Sequence, residues 1–298
     1  MGRTLRCPPM HLSLRTRSFD LDRTVALMAI VNRTPDSFYD RGRTFDLSAA
    51  VDAALEHVAQ GAHIIDVGGV KAGPGAEVTP EMERERILPF VEAFRRVSDA
   101  PLSVDTYRAA VAAAALDAGA DIVNDVSGMV EPEIADVVAA RPGTVLVVMH
   151  TGGPPRTRPF RPTYTPDVTT VAVEACRRLA REAQRRGVPA GGIVVDPGHD
   201  FGKNTLHSLE LTRELPQFCA LGYPVLVALS NKEFLGETLG GLGVDQRVEA
   251  SLAAVVTSVM LGARIVRVHN TQAMARAVRT LEAILGWRQP GMTARGLE

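Results

Sequence analysis

The chain has 298 residues, 46% apolar and 22% charged, with 33 basic against 34 acidic side chains and a formal net charge of −1. That length can bury a large core, while the balanced charge gives no electrostatic footprint for nucleic acid or an anionic membrane. Aromatic content of 5% is thin for a stacking surface. Cys7, Cys176 and Cys219 are far apart and form no CxxC pair, so reduced thiols in a cytoplasmic protein are expected rather than a disulfide framework or a zinc site. No apolar run is long enough to span a bilayer, and Arg3 and Arg6 precede no apolar stretch of a secretory signal.

Residues 1–24 alternate weakly around His11–Leu14 and Ser18–Leu21, which fits a short hairpin ahead of the main fold. Val25–Val31 is an apolar, partly β-branched run that reads as a buried strand. It ends at Asn32, before the turn-forming Arg33-Thr34-Pro35-Asp36-Ser37. Leu47–Gln60 has a helical apolar face and Gly61 as its C-cap. His63–Gly68 is a second strand, leading into Gly69–Ala76, and Pro80–Val97 is an amphipathic helix. Pro101–Val104 is a strand ending at Asp105, and the alanine-rich helix Arg108–Ala118 closes at Gly119. Asp121–Val123 is a strand ending at Asn124, followed by a short helix over Pro132–Ala140. Thr144–Met149 is a strand ending at His150, with a Pro- and Arg-rich loop over Thr151–Pro166. The basic outer face of the helix Asp167–Arg186 reads as solvated surface. Gly192–Val195 is a strand ending at Asp196, then a helix covers Asn204–Leu215. Pro224–Leu229 is a strand ending at Ser230, followed by the helix Asp245–Leu261. Arg264–Val268 is a strand ending at His269, and Thr271–Leu285 is the closing helix. The polar tail, 287–298, is expected to fray.

About eight strand–helix alternations in roughly 250 residues are the arithmetic of a TIM (β/α)₈ barrel. An open doubly wound sheet would carry a glycine-rich turn where Asn32-Arg33-Thr34-Pro35 stands. No linker divides the chain, so one barrel domain is expected over 25–286, behind the 1–24 extension. In a barrel all strand C-termini share one face. Asn32, Asp66, Asp105, Asn124, His150, Asp196, Lys232, Arg267 and His269 then converge. One polar residue past a strand is ordinarily a turn former or helix cap, but nine around one rim make a candidate site. Asp105 and Asp196 are acceptors for the NH groups of a heterocycle, and Asn124 both donates and accepts. Arg267 and His269 share a strand face by the period of two, and with Asn32 they suit an anion or a metal–phosphate.

The segments NRTPDSFYD (32–40), SVDT (103–106), NDVSG (124–128), DPG followed by FGK (196–203), SNKEFLG (230–236) and RVH (267–269) keep one order and spacing. In these the chain resembles the dihydropteroate synthase family, over roughly residues 10–286. The resemblance implies a TIM barrel, commonly a homodimer. Such a protein joins 6-hydroxymethyl-7,8-dihydropterin pyrophosphate to p-aminobenzoate and releases pyrophosphate with the help of Mg²⁺. It also implies that Asp105, Asn124, Asp196 and Lys232 form a pterin pocket, with Asp105, Asp196 and Lys232 as the catalytic set. Asn32, Arg267 and His269 would hold the pyrophosphate, with Asn32 toward the metal. Buried carboxylates suit the positive charge that develops on the pterin methylene, and the metal and cations suit the departing pyrophosphate.

Against the family's GGESTRPGA, the second loop Gly68–Ala76 has Ala72 at the Thr position and Gly73 at the Arg position. Lys71 offers only a flexible point charge in place of a planar guanidinium. In the seventh loop the family's Ser-Arg-Lys-Ser is Ser230-Asn231-Lys232-Glu233. Glu233 thus replaces a Ser that the resemblance puts near the p-aminobenzoate carboxylate. Tyr39 and Arg41 replace a Ser and a Gly, and Asn270 stands where Asp is usual. Two like charges about 5 Å apart at an effective dielectric of about 20 repel by about 3 kcal/mol, roughly a hundredfold in binding. A neutral aryl amine or sulfone escapes most of that penalty, against aryl walls from Phe38, Pro74 and Phe201.

The resulting expectation is a pterin- or aryl-binding barrel with weak or lost synthase activity. An ordinary active synthase competes, supported by the retained strand-end residues. So does a binding or protein-interaction module on the same barrel, supported by the second loop and Glu233. A methyl-tetrahydrofolate-binding methyltransferase barrel is opposed by the Thr-Pro-Asp-Ser-Phe loop and the Lys232 motif.

Overall fold

The computed structural model describes residues 10–34, 44–157 and 162–295. The expected hairpin is present: β1 (His11–Ser13) pairs antiparallel with β2 (Ser18–Asp20). Eight parallel strands follow: β3 (Ala26–Asn32), β4 (Ile64–Gly68), β5 (Leu102–Asp105), β6 (Ile122–Asp125), β7 (Val145–Met149), β8 (Ile193–Asp196), β9 (Leu226–Val227) and β10 (Ile265–Val268). Their order is β8-β7-β6-β5-β4-β3-β10-β9. A parallel bridge between Val195 and Val225 joins the two remaining edges, so the sheet closes into the expected TIM barrel.

Around it lie α1 (Leu47–Ala59), α2 (Pro80–Arg95), α3 (Ala109–Asp117), α4 (Glu133–Ala139), α5 (Val168–Arg185), α6 (Thr205–Arg213), α7 (Leu215–Cys219), α8 (Glu233–Thr238), α9 (Val248–Met260) and α10 (Thr271–Ile284). Local chemistry sets their starts: Asp46, Thr79 and Asp167 each accept a backbone N–H of the first turn, and Pro80 needs no donor there. Gly262 ends the turn after α9 at φ 112°, where a Cβ would stand 2.5 Å from Cys219 Sγ.

Strand parity divides the core in two. Leu27, Ala29, Val31, Ile65, Val67, Val104, Val123, Leu146, Val148 and Val195 pack outward against the helices. Ala26, Met28, Ile64, Ile122, Val145, Val147, Val194, Leu226 and Ile265 point into the barrel, where they meet Leu12, Leu14, Phe19 and Leu21. The hairpin is therefore a plug for the N-terminal mouth. Arg15 fastens it by donating to the carbonyls of Leu116 and Ala120.

Several elements differ from expectation; the helix expected over Asn204–Leu215 is α6, and α7 follows it as a second, unexpected helix. Only Leu226–Val227 of the expected Pro224–Leu229 strand joins the ladder. The helix expected from Asp245 starts at Val248, after a 3₁₀ turn over Val244–Gln246. The segment between Ser230 and Asp245 contains α8, whose six residues with a central glycine are too short for an apolar period to show. At the far end, Trp287 packs beneath the Arg264 guanidinium at 4.7 Å, and Arg288 pairs with Glu282.

Candidate functional site

A cavity of about 610 Å³ opens at the C-terminal end of the strands. Asn32, Ala72, Gly73, Pro74, Asp105, Asn124, Asp196, Phe201, Lys232, Glu233, Arg267 and His269 all line it. Phe38, Tyr39 and Arg41 lie outside the described residues. Parity explains the convergence. Asn32, Asp105, Asn124, Asp196, Arg267 and His269 each continue the inward-facing series of their strand, one layer or two above the plug. His150 does not reach the cavity. It follows the inward Met149, so its ring turns outward against Tyr164, 6.0 Å between centroids, and burial pushes its pKa down to about 3. Asp66 sits one layer below, fully buried.

The floor is an ion-pair cluster. Arg267 Nε donates to Asp66 Oδ2 at 2.7 Å and Nη2 to Asp105 Oδ2 at 3.1 Å. Burial pushes Asp105 up to about 7; Arg267 opposes this, while Asp66, Glu83 and Asp125 reinforce it. Asp196 is also raised by burial, with Lys232 opposing, and its Oδ1 accepts the Gly198 N–H at 2.7 Å. Asn124 Oδ1 is buried and has no hydrogen-bond partner among the described residues, an open acceptor at the cavity wall.

The sixth loop is held from below. Lys203 Nζ donates to His150 O (3.1 Å), Gly198 O (2.7 Å) and Phe201 O (3.0 Å), and burial lowers its pKa to about 7. A Cβ on Gly198 would stand 2.0 Å from His150 O, and one on Gly202 2.5 Å from Gly152 Cα, so both glycines permit the close loop contact. The pinned loop presents Phe201 and Asp200. Lys232 lies 5.0 Å from the Phe201 ring centroid and donates to His199 O. Asp200 Oδ2 accepts the Glu233 N–H at 3.1 Å, and Glu233 itself is exposed at the start of α8.

The remaining loops complete the mouth. Arg86 Nη1 donates to Gly69 O at 2.8 Å and Arg156 Nη2 to Ala76 O at 2.8 Å, bracketing the second loop. Thr44 Oγ1 donates to Asn32 O at 2.6 Å, tying the two ends of the first loop together. Ser230 Oγ lies 3.3 Å from His269 Nδ1. Sequence reasoning missed Ile30, Met149, Asp200 and Arg247 in the lining. Parity along their strands could have found Ile30 and Met149. Asp200 and Arg247 come from loops whose course no periodicity reports.

With this geometry in view, the comparisons are specific. The family model described as pterin binding enzyme matches residues 28–269. The chain is 49% identical over 276 residues to the inactive dihydropteroate synthase 2 of Mycobacterium leprae, covering 91% of this chain and 94% of that protein. To the dihydropteroate synthase of Synechocystis it is 39% identical over 282 residues, covering 94% and 96%. The solved structure of Xanthomonas albilineans dihydropteroate synthase with 4-aminobenzoic acid superposes with a TM-score of 0.84 at 35% identity, covering 93% of this chain and 99% of that one.

Proposed function

The chain belongs to the pterin binding enzymes as a divergent dihydropteroate synthase-like member, and we propose that it binds a pterin on the cavity floor while condensing it with p-aminobenzoate weakly or not at all. One observation carries this: the acidic floor is intact, yet the second loop offers Ala72 and Gly73 to the same cavity. A methyl and a bare backbone supply neither the hydroxyl nor the guanidinium of the family pattern. Support also comes from the 49% identity to a protein named inactive.

Asp105, Asn124, Asp196 and Lys232 hold the bicyclic ring, the carboxylates and the amide facing its NH groups. Asp105, Asp196 and Lys232 form what remains of the catalytic set, with carboxylate charge beside the pterin methylene. Asn32, Arg267 and His269 face the pyrophosphate, and Arg267 also orders Asp105 from beneath while its charge offsets the carboxylates. Phe201 and Pro74 wall the aryl side.

No group of three His, Cys, Asp or Glu among the described residues is placed to hold a metal. The Asn32 amide oxygen is a single neutral donor. Asn32 would offer one ligand to a Mg²⁺ ion arriving with the pyrophosphate, and the ion would take up charge on the leaving group.

The protein acts in the cytoplasm as a homodimer through α9. Cys176 and Cys219 are buried and in no disulfide, which suits a reducing compartment, and Met260 of α9 is 58% exposed. No described helix is long and apolar enough to cross a membrane.

The test joins three measurements on the purified chain. Calorimetry with 6-hydroxymethyl-7,8-dihydropterin should give binding. Condensation from the pterin pyrophosphate should be at least about a hundredfold slower than in an active relative, the equivalent of about 3 kcal/mol. Restoring Ala72→Thr and Gly73→Arg together should raise that rate. Robust turnover by the unmodified chain, or full rescue of a synthase-null strain, would replace this proposal with an ordinary synthase.

A further inference from the structure

Arg247, the residue before α9, lines the cavity on its seventh-loop side. Its Nε donates to Leu242 O at 2.8 Å and its Nη1 to Asn231 O at 3.0 Å. Gly236 in α8 makes room for the guanidinium: a Cβ there would stand 2.5 Å from Arg247 Nε and 2.6 Å from Leu242 O. Asn231 is held at φ 58°, with its N–H on Ser251 Oγ at 2.9 Å, which fixes the carbonyl that Arg247 uses. Both of these partners are neutral carbonyls. Among the described residues no carboxylate pairs with this guanidinium, and Nη2 makes no hydrogen bond.

A planar cation oriented by neutral groups, at the wall of a cavity, is built to receive an oxyanion. We propose that Arg247 is the anion-reading residue of this cavity, its Nη2 edge recognising a carboxylate or phosphate group on the ligand. The proposal rests on the pterin-site reading above. Glu233, at the start of α8, is the opposing charge at the same mouth. Anion affinity is then the balance of one residue against the other. The carbonyl bonds orient the fork without neutralising it, which separates Arg247 from Arg267, whose charge is already matched by Asp66 and Asp105.

The test is calorimetry on the full chain, saturated with 6-hydroxymethyl-7,8-dihydropterin, with three probes: p-aminobenzoate, its neutral amide p-aminobenzamide, and inorganic pyrophosphate. Arg247→Met should weaken an anionic probe by about tenfold or more and leave the amide within about twofold, and Arg247→Lys should recover part of the loss. Loss confined to p-aminobenzoate assigns the aryl carboxylate; loss confined to pyrophosphate assigns the phosphate. Equal weakening of all three probes, or of none, overturns the proposal. Should Arg247→Met fail to fold, ¹⁵N spectra of the arginine side chains of the unmodified chain replace it. An Arg247 resonance that moves with the anions and not with the amide is expected, and one indifferent to all three refutes the role. Dihydropterin that fails to bind, while the anions still move that resonance, sinks the pterin reading alone. Dihydropterin that binds, with Arg247→Met without effect, sinks this inference alone.

Discussion

Asn231 Nδ2 donates to Asn270 Oδ1 at 3.0 Å, so two departures from the family pattern that lie 39 residues apart in sequence meet across the seventh and eighth loops. Each stands at a position where the family carries a charge, Arg and Asp respectively, and here a neutral amide pair replaces them. Asn is also among the residues that best tolerate the left-handed φ of 58° at position 231.

The pair should behave as a unit. Asn231→Arg or Asn270→Asp alone leaves one charge facing an amide, and the double variant restores opposite charges. In urea unfolding the double variant is expected to be more stable than the sum of the singles by about 1 kcal/mol or more. Strict additivity would mean that the two loops are not coupled through this contact.

The floor makes a prediction about pH. Asp105 titrates near 7 in the folded chain because burial outweighs the pull of Arg267, against an unfolded value of about 3.9. Between those values the folded state binds more protons than the unfolded one, so stability falls as pH rises from about 4 to about 7. Asp125, raised by burial to about 6, acts in the same direction. Asp105→Asn should flatten this slope in unfolding midpoints measured across that range. A slope unchanged by the substitution would place the titration elsewhere.

Removing the cation from the cluster is more severe. Arg267→Met leaves Asp66 and Asp105 buried without compensation, and loss of one partner of a buried pair costs about 3–5 kcal/mol. Denaturant unfolding of the variant measures this directly. A loss below about 1 kcal/mol, the range of an exposed pair, would contradict the buried geometry.

Glu233 should act through charge on the ligand, but weakly. It is exposed, so solvent screening brings the repulsion from the 3 kcal/mol Coulomb figure toward about 1 kcal/mol, roughly fivefold in binding. Glu233→Ser is expected to raise affinity for p-aminobenzoate relative to p-aminobenzamide by that factor. A ratio that does not move would remove Glu233 from the discrimination.

The hairpin plug should be essential to the barrel. Phe19 is 4% exposed and packs among inward residues of the strands. Phe19→Ala should cost about 3–5 kcal/mol from lost burial and the cavity left behind. Thermal unfolding close to that of the parent chain would show the plug to be dispensable.

Much of this was legible in the chain. The alternation of apolar runs with amphipathic helices implied the barrel, because each strand ends where its apolar period stops and several helices start at a cap such as Asp46, Thr79 or Asp167. The inward register of Asn32, Asp105, Asn124, Asp196 and Arg267 was also implicit, since side chains alternate strictly along a strand. His150 shows that rule working in the other direction: it stands one residue past an inward position and faces outward. Tertiary structure decided which of these groups touch. Arg267 meets Asp66 and Asp105 across separations of 201 and 162 residues, a contact made only because the last strand, β10, pairs with β3. It also decided the loops: Arg247 and Asp200 enter the cavity because Gly236, Asn231 and Lys203 hold the backbone in positions set by packing. Local periodicity records which face of an element is buried, but it cannot record distances between elements, and those distances turn a set of polar strand ends into a site.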